Sequence, residues 1–141
     1  MSSKSTPTQK PSINKIAIDV DINPELIASV MQNLEKFEKN LKFLEKDMNL
    51  TKLAAVLKTN PKYAAKIILK YRGKKTIEYI SDLKIDYIIE LLKTENKYRL
   101  YTNKALGEEA GFGSTQNFTK AFKTKTGIAP TYFILELNKI T

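Results

Sequence analysis

The side chains that could do chemistry in this sequence are mostly lysines and short polar residues, and the usual catalytic types are missing. The 141 residues contain no histidine and no cysteine, so general-base, thiol-nucleophile and transition-metal sites lack their common components. The adjacent carboxylates of Glu108 and Glu109 have no glycine-rich phosphate loop nearby. We therefore expect no enzyme activity, no cofactor and no metal. The formal net charge of +9 instead favours a polyanionic partner, either nucleic acid or an anionic membrane surface.

The positive charge is concentrated in two segments of the chain. Seven basic residues and no acid lie between Lys58 and Lys75, and three lysines and no acid lie between Ala110 and Leu135. Residues 23–49, in contrast, contain four bases and five acids. No apolar run approaches the roughly 20 residues of a membrane span, and the N-terminus lacks the apolar core of a signal peptide. We expect a cytoplasmic protein.

The elements that must position these charges are predicted to be helices, and the predicted class is all-α. Residues 1–15 are rich in Ser, Thr, Lys and Pro, which is typical of a disordered tail or linker. Residues 16–49 are predicted to form an extended lead-in and an amphipathic helix that begins at Asn23 and Pro24. The apolar spacing of that helix fits a dimerising coiled coil or a helix docked on its own domain. The docked helix is favoured, because fewer than three heptads are present.

The remaining segments predict two helix-turn-helix units separated by one long helix. Residues 50–75 form the first unit, 76–95 the linker helix, and 102–138 the second unit with a C-terminal helix. The linker helix is expected to bury a stripe that consists of Ile77, Ile80, Leu83, Tyr87, Ile88, Leu91 and Leu92. The expected core residues of the two second helices are Tyr63, Ile67, Ile68, Phe118 and Phe122.

An internal repeat supports this division. Leu53-Ala54 matches Leu106-Gly107 at an offset of 53 residues, and after the turn the offset becomes 54. At that offset the helix caps, the core positions and the helix-ending glycines recur together, as Asn60 with Ser114, Ile68 with Phe122, and Gly73 with Gly127. Each unit thus has a short helix, a turn and a capped second helix, and in a helix-turn-helix that second helix enters the major groove.

The length of the linker helix suggests how the two units would be used together. About 20 residues span roughly 30 Å at 1.5 Å per residue, which is close to the roughly 34 Å of one duplex turn. Both recognition helices could therefore reach successive major grooves on one face, so that one chain reads a bipartite site.

Residues 50–138 resemble the DNA-binding domain of the AraC/XylS family. The resemblance is carried by Glu108–Phe112, by Phe118–Lys123 and by the Gly127–Pro130 stretch, and more loosely by the first unit. It is strongest for regulators of Bacteroidetes that carry the domain at their C-terminus, after tetratricopeptide repeats and a membrane segment. The resemblance implies double-stranded DNA and RNA polymerase as partners. It also implies fusion to an upstream sensor region, which would tether the chain to the inner membrane, and it leaves self-association open.

The resemblance further implies roles for individual residues. The residues expected to contact base edges are Lys62, Lys66, Thr115, Gln116, Thr119 and Lys120. The residues expected to contact phosphates are Asn60, Lys70, Lys74, Lys75, Ser114 and Lys123. Ala65 occupies a reading position but offers only a methyl group.

Three positions depart from the family pattern. Lys84 stands where the family usually has Arg, Asn103 where it has an apolar residue, and Gly107 where it has Ala. A glycine inside a helix costs about 0.5–1 kcal/mol, so the second unit is expected to be looser than the first. Asn103, Gly107 and Ala65 keep an alternative open, namely a protein-interaction module that has lost specific reading, and the many lysines leave open a non-specific nucleic-acid binder.

Overall fold

The structure is a computed structural model that describes residues 23–140. The predicted tail 1–15 and lead-in 16–22 lie outside the described residues. Seven α-helices and two short 3-10 turns make up the described part, which contains no β-strand, and the all-α prediction is confirmed. The helices are α1 Pro24–Lys39, α2 Leu50–Leu57, α3 Pro61–Arg72, α4 Thr76–Thr94, α5 Asn103–Glu109, α6 Thr115–Thr126 and α7 Pro130–Ile140. The 3-10 turns, at Lys42–Leu44 and Asn96–Leu100, do not follow from the hydrophobic spacing.

Helix α1 is a single helix docked on its own domain, which confirms that interpretation over the coiled coil. The Asn23 side chain caps it by accepting a hydrogen bond from the Leu26 amide at 2.8 Å. The helix ends at Lys39, and Leu41 then adopts a left-handed backbone with φ 58°. Three of its apolar residues are buried in the first core: Val30, Leu34 and Phe37.

Two hydrophobic cores lie along the linker helix α4. The first core takes residues from α1, α2, α3 and the start of α4, including Tyr79 and Ile80. The second takes residues from α5, α6, α7 and the rest of α4, including Ile85 and Ile88. Because α4 contacts one core near its start and the other farther along, its buried stripe is not a single straight line.

Because the two cores lie on different sides of α4, the single buried stripe predicted from the sequence is wrong near the start of the helix. Ile77 was expected to be buried, but it is 82 % exposed. The inward positions near the start of α4 are taken instead by Thr76 and Tyr79, and farther along Lys84 and Ile85 are also buried.

Lys84, at the middle of α4, contacts segments on both sides of that helix. It is 5 % exposed, and its Nζ donates hydrogen bonds to the carbonyl oxygens of Glu45 at 3.2 Å and Gly111 at 2.5 Å. The ammonium group also lies 5.4 Å from the centroid of the Phe112 ring. Burial lowers the pKa of Lys84, although the charge of Asp47 acts in the opposite direction. One cation thus ties the segment before α2 to the turn of the second unit.

Gly111 brings the same two segments into direct contact. Its φ of +83° lies in the left-handed region, and a Cβ added there would come 2.8 Å from the carbonyl carbon of Leu44. Only a residue without a side chain allows this approach. We call the contact of Leu44 and Glu45 with Lys84, Gly111 and Phe112 the junction.

Candidate nucleic-acid interface

The second helices of the two units, α3 and α6, are built alike. Each has 12 residues and ends at a glycine in the left-handed region, Gly73 or Gly127. Each is capped by a polar side chain, because Asn60 Oδ1 and Ser114 Oγ accept from the amide three residues on at 2.9 and 3.0 Å. A cap of this kind satisfies one of the amides that lack a partner in the first turn. The repeat in the sequence is therefore also a repeat in structure.

The first helix of the second unit is capped by Thr102, whose Oγ1 accepts from the Ala105 amide at 3.0 Å. Asn103, which departs from the family pattern, is the first residue of α5.

The inward face of each recognition helix is apolar, as the sequence predicted. Ile67 and Ile68 of α3, and Phe118 and Phe122 of α6, are fully or almost fully buried, whereas Tyr63 is only half-buried. These residues fix which face of each helix points outward.

The second unit also contains an unusually close helix contact. A Cβ added to Gly107 of α5 would lie 3.0 Å from the Cβ of Phe118 in α6. The sequence alone indicates only that Gly107 weakens α5. The structure shows that it also permits close packing of α5 on α6.

The outward faces carry the side chains predicted to contact bases, in the same register on both helices. Positions i, i+3 and i+4 are Lys62, Ala65 and Lys66 in α3, and 54 residues later they are Gln116, Thr119 and Lys120 in α6. Among the six predicted residues, Lys66 and Thr119 are half-buried and the other four are exposed: Lys62, Thr115, Gln116 and Lys120. Thr119 Oγ1 donates to the Gln116 carbonyl at 3.2 Å.

The residues predicted to contact phosphates also lie at or near the surface. Five are exposed: Asn60, Lys70, Lys75, Ser114 and Lys123. Lys74 instead forms an ion pair with Asp82, and this hydrogen bond raises the pKa of Lys74. Lys125 lies 3.7 Å from the same carboxylate and 3.3 Å from Asp86. Asp82 therefore compensates part of the charge of Lys74 and Lys125.

A polar cluster that the sequence did not predict holds the end of α3. Arg72 Nε and Nη2 donate to the two carboxylate oxygens of Glu38 in α1 at 2.9 and 3.1 Å, and the Tyr79 hydroxyl donates to the same carboxylate. Burial raises the pKa of Glu38, but the hydrogen bonds from Arg72 and Tyr79 outweigh it, and the pKa lies below its ordinary value. The partners are 34 and 41 residues apart from Glu38, so no local pattern could reveal them.

Ile77 lies between the two recognition helices and borders two open hollows. The first hollow, of about 400 Å³, is lined by Leu50, Ala65, Leu69, Lys75, Thr76 and Ile77. The second, of about 410 Å³, also includes Ile77, with Asn117, Lys120, Ala121 and Thr124 of α6 among its other residues. We call them the α3 hollow and the α6 hollow. Each contains a position that is predicted to read bases, Ala65 in the α3 hollow and Lys120 in the α6 hollow.

Neither a metal-binding cluster nor a membrane-spanning helix is found in residues 23–140. No group of three or more acidic side chains could hold a metal ion there. No helix in the same range combines the length and the hydropathy that crossing a bilayer requires.

Comparison with known proteins supports the resemblance seen in the sequence. No protein-family model matches the chain. A curated relative, the uncharacterized HTH-type transcriptional regulator YidL of Escherichia coli K12, is 30 % identical over 90 residues, which cover 62 % of this chain. The chain spans about 28 % of the length of that relative.

Solved structures agree with the observed architecture. A transcriptional regulator from Chromobacterium violaceum, described as containing an AraC-type DNA-binding domain, superposes with a TM-score of 0.63 at 16 % identity, covering 82 % of this chain and 96 % of that one. The C-terminal domain of AraT, a response regulator from Geobacillus stearothermophilus, gives 0.62 at 23 % identity, with 76 % and 84 % covered. The DNA-binding domain of AdpA, solved with a target DNA, gives 0.67 at 14 % identity, with 79 % and 94 % covered. The described part of the chain therefore has the fold of an AraC-type DNA-binding domain.

Proposed function

We propose that the chain is the DNA-binding part of a transcription regulator and that α3 and α6 enter successive major grooves of one duplex. The observation that carries the proposal is the repeated recognition helix, with matched caps, matched outward register and a shared linker helix. The AdpA domain has the same fold and was solved with a target DNA, and YidL is described as a transcriptional regulator. The net charge of +9 suits a polyanionic partner.

The roles of the outward side chains follow from their chemistry. Lysines at 62, 66 and 120 can donate to guanine O6 and N7, and Gln116 can pair bidentately with adenine. Thr115 and Thr119 offer hydroxyls that suit either base pair. Phosphate contacts come from the N-termini at Asn60 and Ser114 and from four lysines, Lys70, Lys74, Lys75 and Lys123. We rank Lys74 below Lys75 as a phosphate ligand, because Asp82 already pairs with it.

The linker helix and the junction together support a fixed separation of the two reading helices. The 19 residues of α4 span about 28 Å, which is compatible with one duplex turn of about 34 Å. The junction holds the turn before α6 against the segment before α2 through Lys84 and Gly111. We infer a preference for one spacing between half-sites.

The wider setting of the chain is part of the same proposal. Because the matched relative is about twice as long as this chain, we propose that a sensor region accompanies the DNA-binding part and that RNA polymerase is the partner at the promoter. Such a role places the chain on the cytoplasmic side, whether or not a membrane segment tethers it.

The decisive experiment is selection of duplexes from a randomised pool, followed by fluorescence anisotropy at several salt concentrations. We expect an enriched bipartite site with one preferred spacing and an affinity that falls with salt. A pool that shows no enrichment would instead identify a non-specific binder. No binding to any duplex would favour the protein-interaction alternative.

Two variants test the assignment of roles. Gln116→Ala is expected to relax the preference at one base position, at a cost of about 1–3 kcal/mol on the selected site. Lys75→Ala is expected to weaken all duplexes about equally and to reduce the salt slope by about one. If the two variants behave alike, the division between base and phosphate contacts is wrong.

A further inference from the structure

Ile77 is an exposed aliphatic residue at a position where the proposed function requires DNA. It is 82 % exposed, although it belongs to the first turn of a helix whose neighbouring residues Thr76, Tyr79 and Ile80 are buried. A single exposed aliphatic side chain is common on protein surfaces. The position of Ile77 is what distinguishes it.

Ile77 is shared by the two hollows beside the recognition helices. On one side it lines the α3 hollow with Ala65 and Leu69, and on the other it lines the α6 hollow with Asn117 and Lys120. Ala65 and Lys120 belong to the outward faces that are proposed to read bases. Ile77 therefore lies on the reading side of the molecule, between the two helices.

The geometry of the duplex determines what this position would meet. When two helices occupy successive major grooves on one face, the minor groove between them faces the protein. On the basis of the proposed function, we propose that Ile77 contacts the DNA between the two half-sites, at the minor groove, and reads its deformability. Aliphatic side chains suit this contact because they can pack into the minor groove and partly unstack a base step.

The charges around Ile77 support an apolar contact at this position rather than a phosphate contact. Glu78 is exposed and lines the α6 hollow, and its negative charge also contributes to the raised pKa of Lys74. A phosphate at this point would be repelled by that carboxylate. Lys75, two residues before Ile77, is exposed and lines the α3 hollow, where it can bind the flanking backbone.

The test compares Ile77→Ala with the wild-type chain on the selected duplex and on duplexes altered only between the half-sites. Leu100→Ala is the matched control, because Leu100 is 88 % exposed and lines neither hollow. We expect Ile77→Ala to weaken the selected site about threefold to tenfold, to flatten the preference for the central base steps, and to reduce duplex bending measured by energy transfer between end labels. Thermal stability should stay unchanged, since the side chain is exposed, and Leu100→Ala should change none of these quantities.

Each negative result of this test would refute a different part of the proposal. If the wild-type chain selects no site, the proposed function fails. If it selects a site and Ile77→Ala has wild-type affinity, central preference and bending, only the role of Ile77 is overturned. An equal loss on all central sequences also overturns it, because no deformability is then read. Loss of self-association in sedimentation, with DNA binding intact, would assign Ile77 to contact between two copies of the chain.

Discussion

Replacing Gly111 by alanine tests the junction most directly. The substitution has two costs that the structure separates. The first is the left-handed backbone at φ +83°, which costs a residue with a Cβ about 1–2 kcal/mol. This is partly offset by about 0.4–1 kcal/mol from the lower entropy of the unfolded chain. The second is the new Cβ, which would lie 2.8 Å from the carbonyl carbon of Leu44 and 3.1 Å from its Cα. Backbone atoms cannot rotate away, so we expect an overpacking cost of about 1–3 kcal/mol.

The chain provides matched controls for the backbone cost alone. Gly73 and Gly127 have φ of +74° and +87°, and a Cβ at either would meet nothing within 4 Å. We expect Gly73→Ala and Gly127→Ala to lower the free energy of unfolding by about 1 kcal/mol. Gly111→Ala should lower it by about 2–4 kcal/mol, because the packing cost is added.

Urea denaturation followed by far-ultraviolet circular dichroism measures all three variants under the same conditions. The informative quantity is the difference between Gly111→Ala and the mean of the two controls, which we expect to be about 1–3 kcal/mol. A difference below about 0.5 kcal/mol, within the range of ordinary surface substitutions, would refute a close contact between Leu44 and the turn.

Three further substitutions test other parts of the fold. Glu38→Gln should lower the free energy of unfolding at neutral pH and flatten its decrease on acidification. Because the pKa of Glu38 is lowered in the folded chain, its carboxylate stabilises the fold above the ordinary pKa of a glutamate, and this contribution is lost as the pH falls through the folded pKa. A urea midpoint that falls with acid as steeply as that of the wild-type chain would contradict this. Thr76→Val should leave the unfolding free energy unchanged or raise it by about 1 kcal/mol, because the buried Oγ1 of Thr76 has no hydrogen-bond partner among the described residues. A clear decrease in the unfolding free energy would mean that the hydroxyl group of Thr76 does have a partner. Gly107→Ala gains about 1 kcal/mol of helix propensity. The new contact with Phe118 should outweigh this gain and lower the melting temperature. A higher melting temperature would mean that α5 can shift away from α6 to make room for the methyl group.

Local signals in the sequence predicted most of the helices. Asn60 and Ser114 cap the recognition helices, and Gly73 and Gly127 end them, as the repeat indicated. These signals act within a few residues, so they can be read along the chain. The observed α4, Thr76–Thr94, for example, differs from the predicted linker helix 76–95 by one residue.

The packing between distant segments could not be predicted in the same way. Ile77 fits the helical period of α4, yet it is exposed, because the two cores lie on different sides of that helix. Lys84 reads as a surface residue, but its ammonium group bonds to carbonyls of residues 27 and 39 positions away. Such contacts depend on the tertiary arrangement, and the periodicity of a single sequence does not reveal them.

The assignment of DNA contacts to single residues stays a prediction. Solvent-exposed lysines such as Lys62 and Lys120 look alike in sequence and in structure, whether they bind a base, a phosphate or water. Their place on the outward faces of α3 and α6, away from the buried Ile68 and Phe122, distinguishes them from other surface lysines.

The junction also bears on how such a domain could be transplanted between regulators. A fragment that begins at residue 50, where the family resemblance starts, would lack Leu44 and Glu45. Its second unit would then lose the carbonyl of Glu45 that receives Lys84 and the backbone that packs on Gly111. In a chimeric regulator, the piece to exchange is therefore the stretch that starts with α1. An exchange at residue 50 would leave the ammonium group of Lys84 without one of its two carbonyl acceptors.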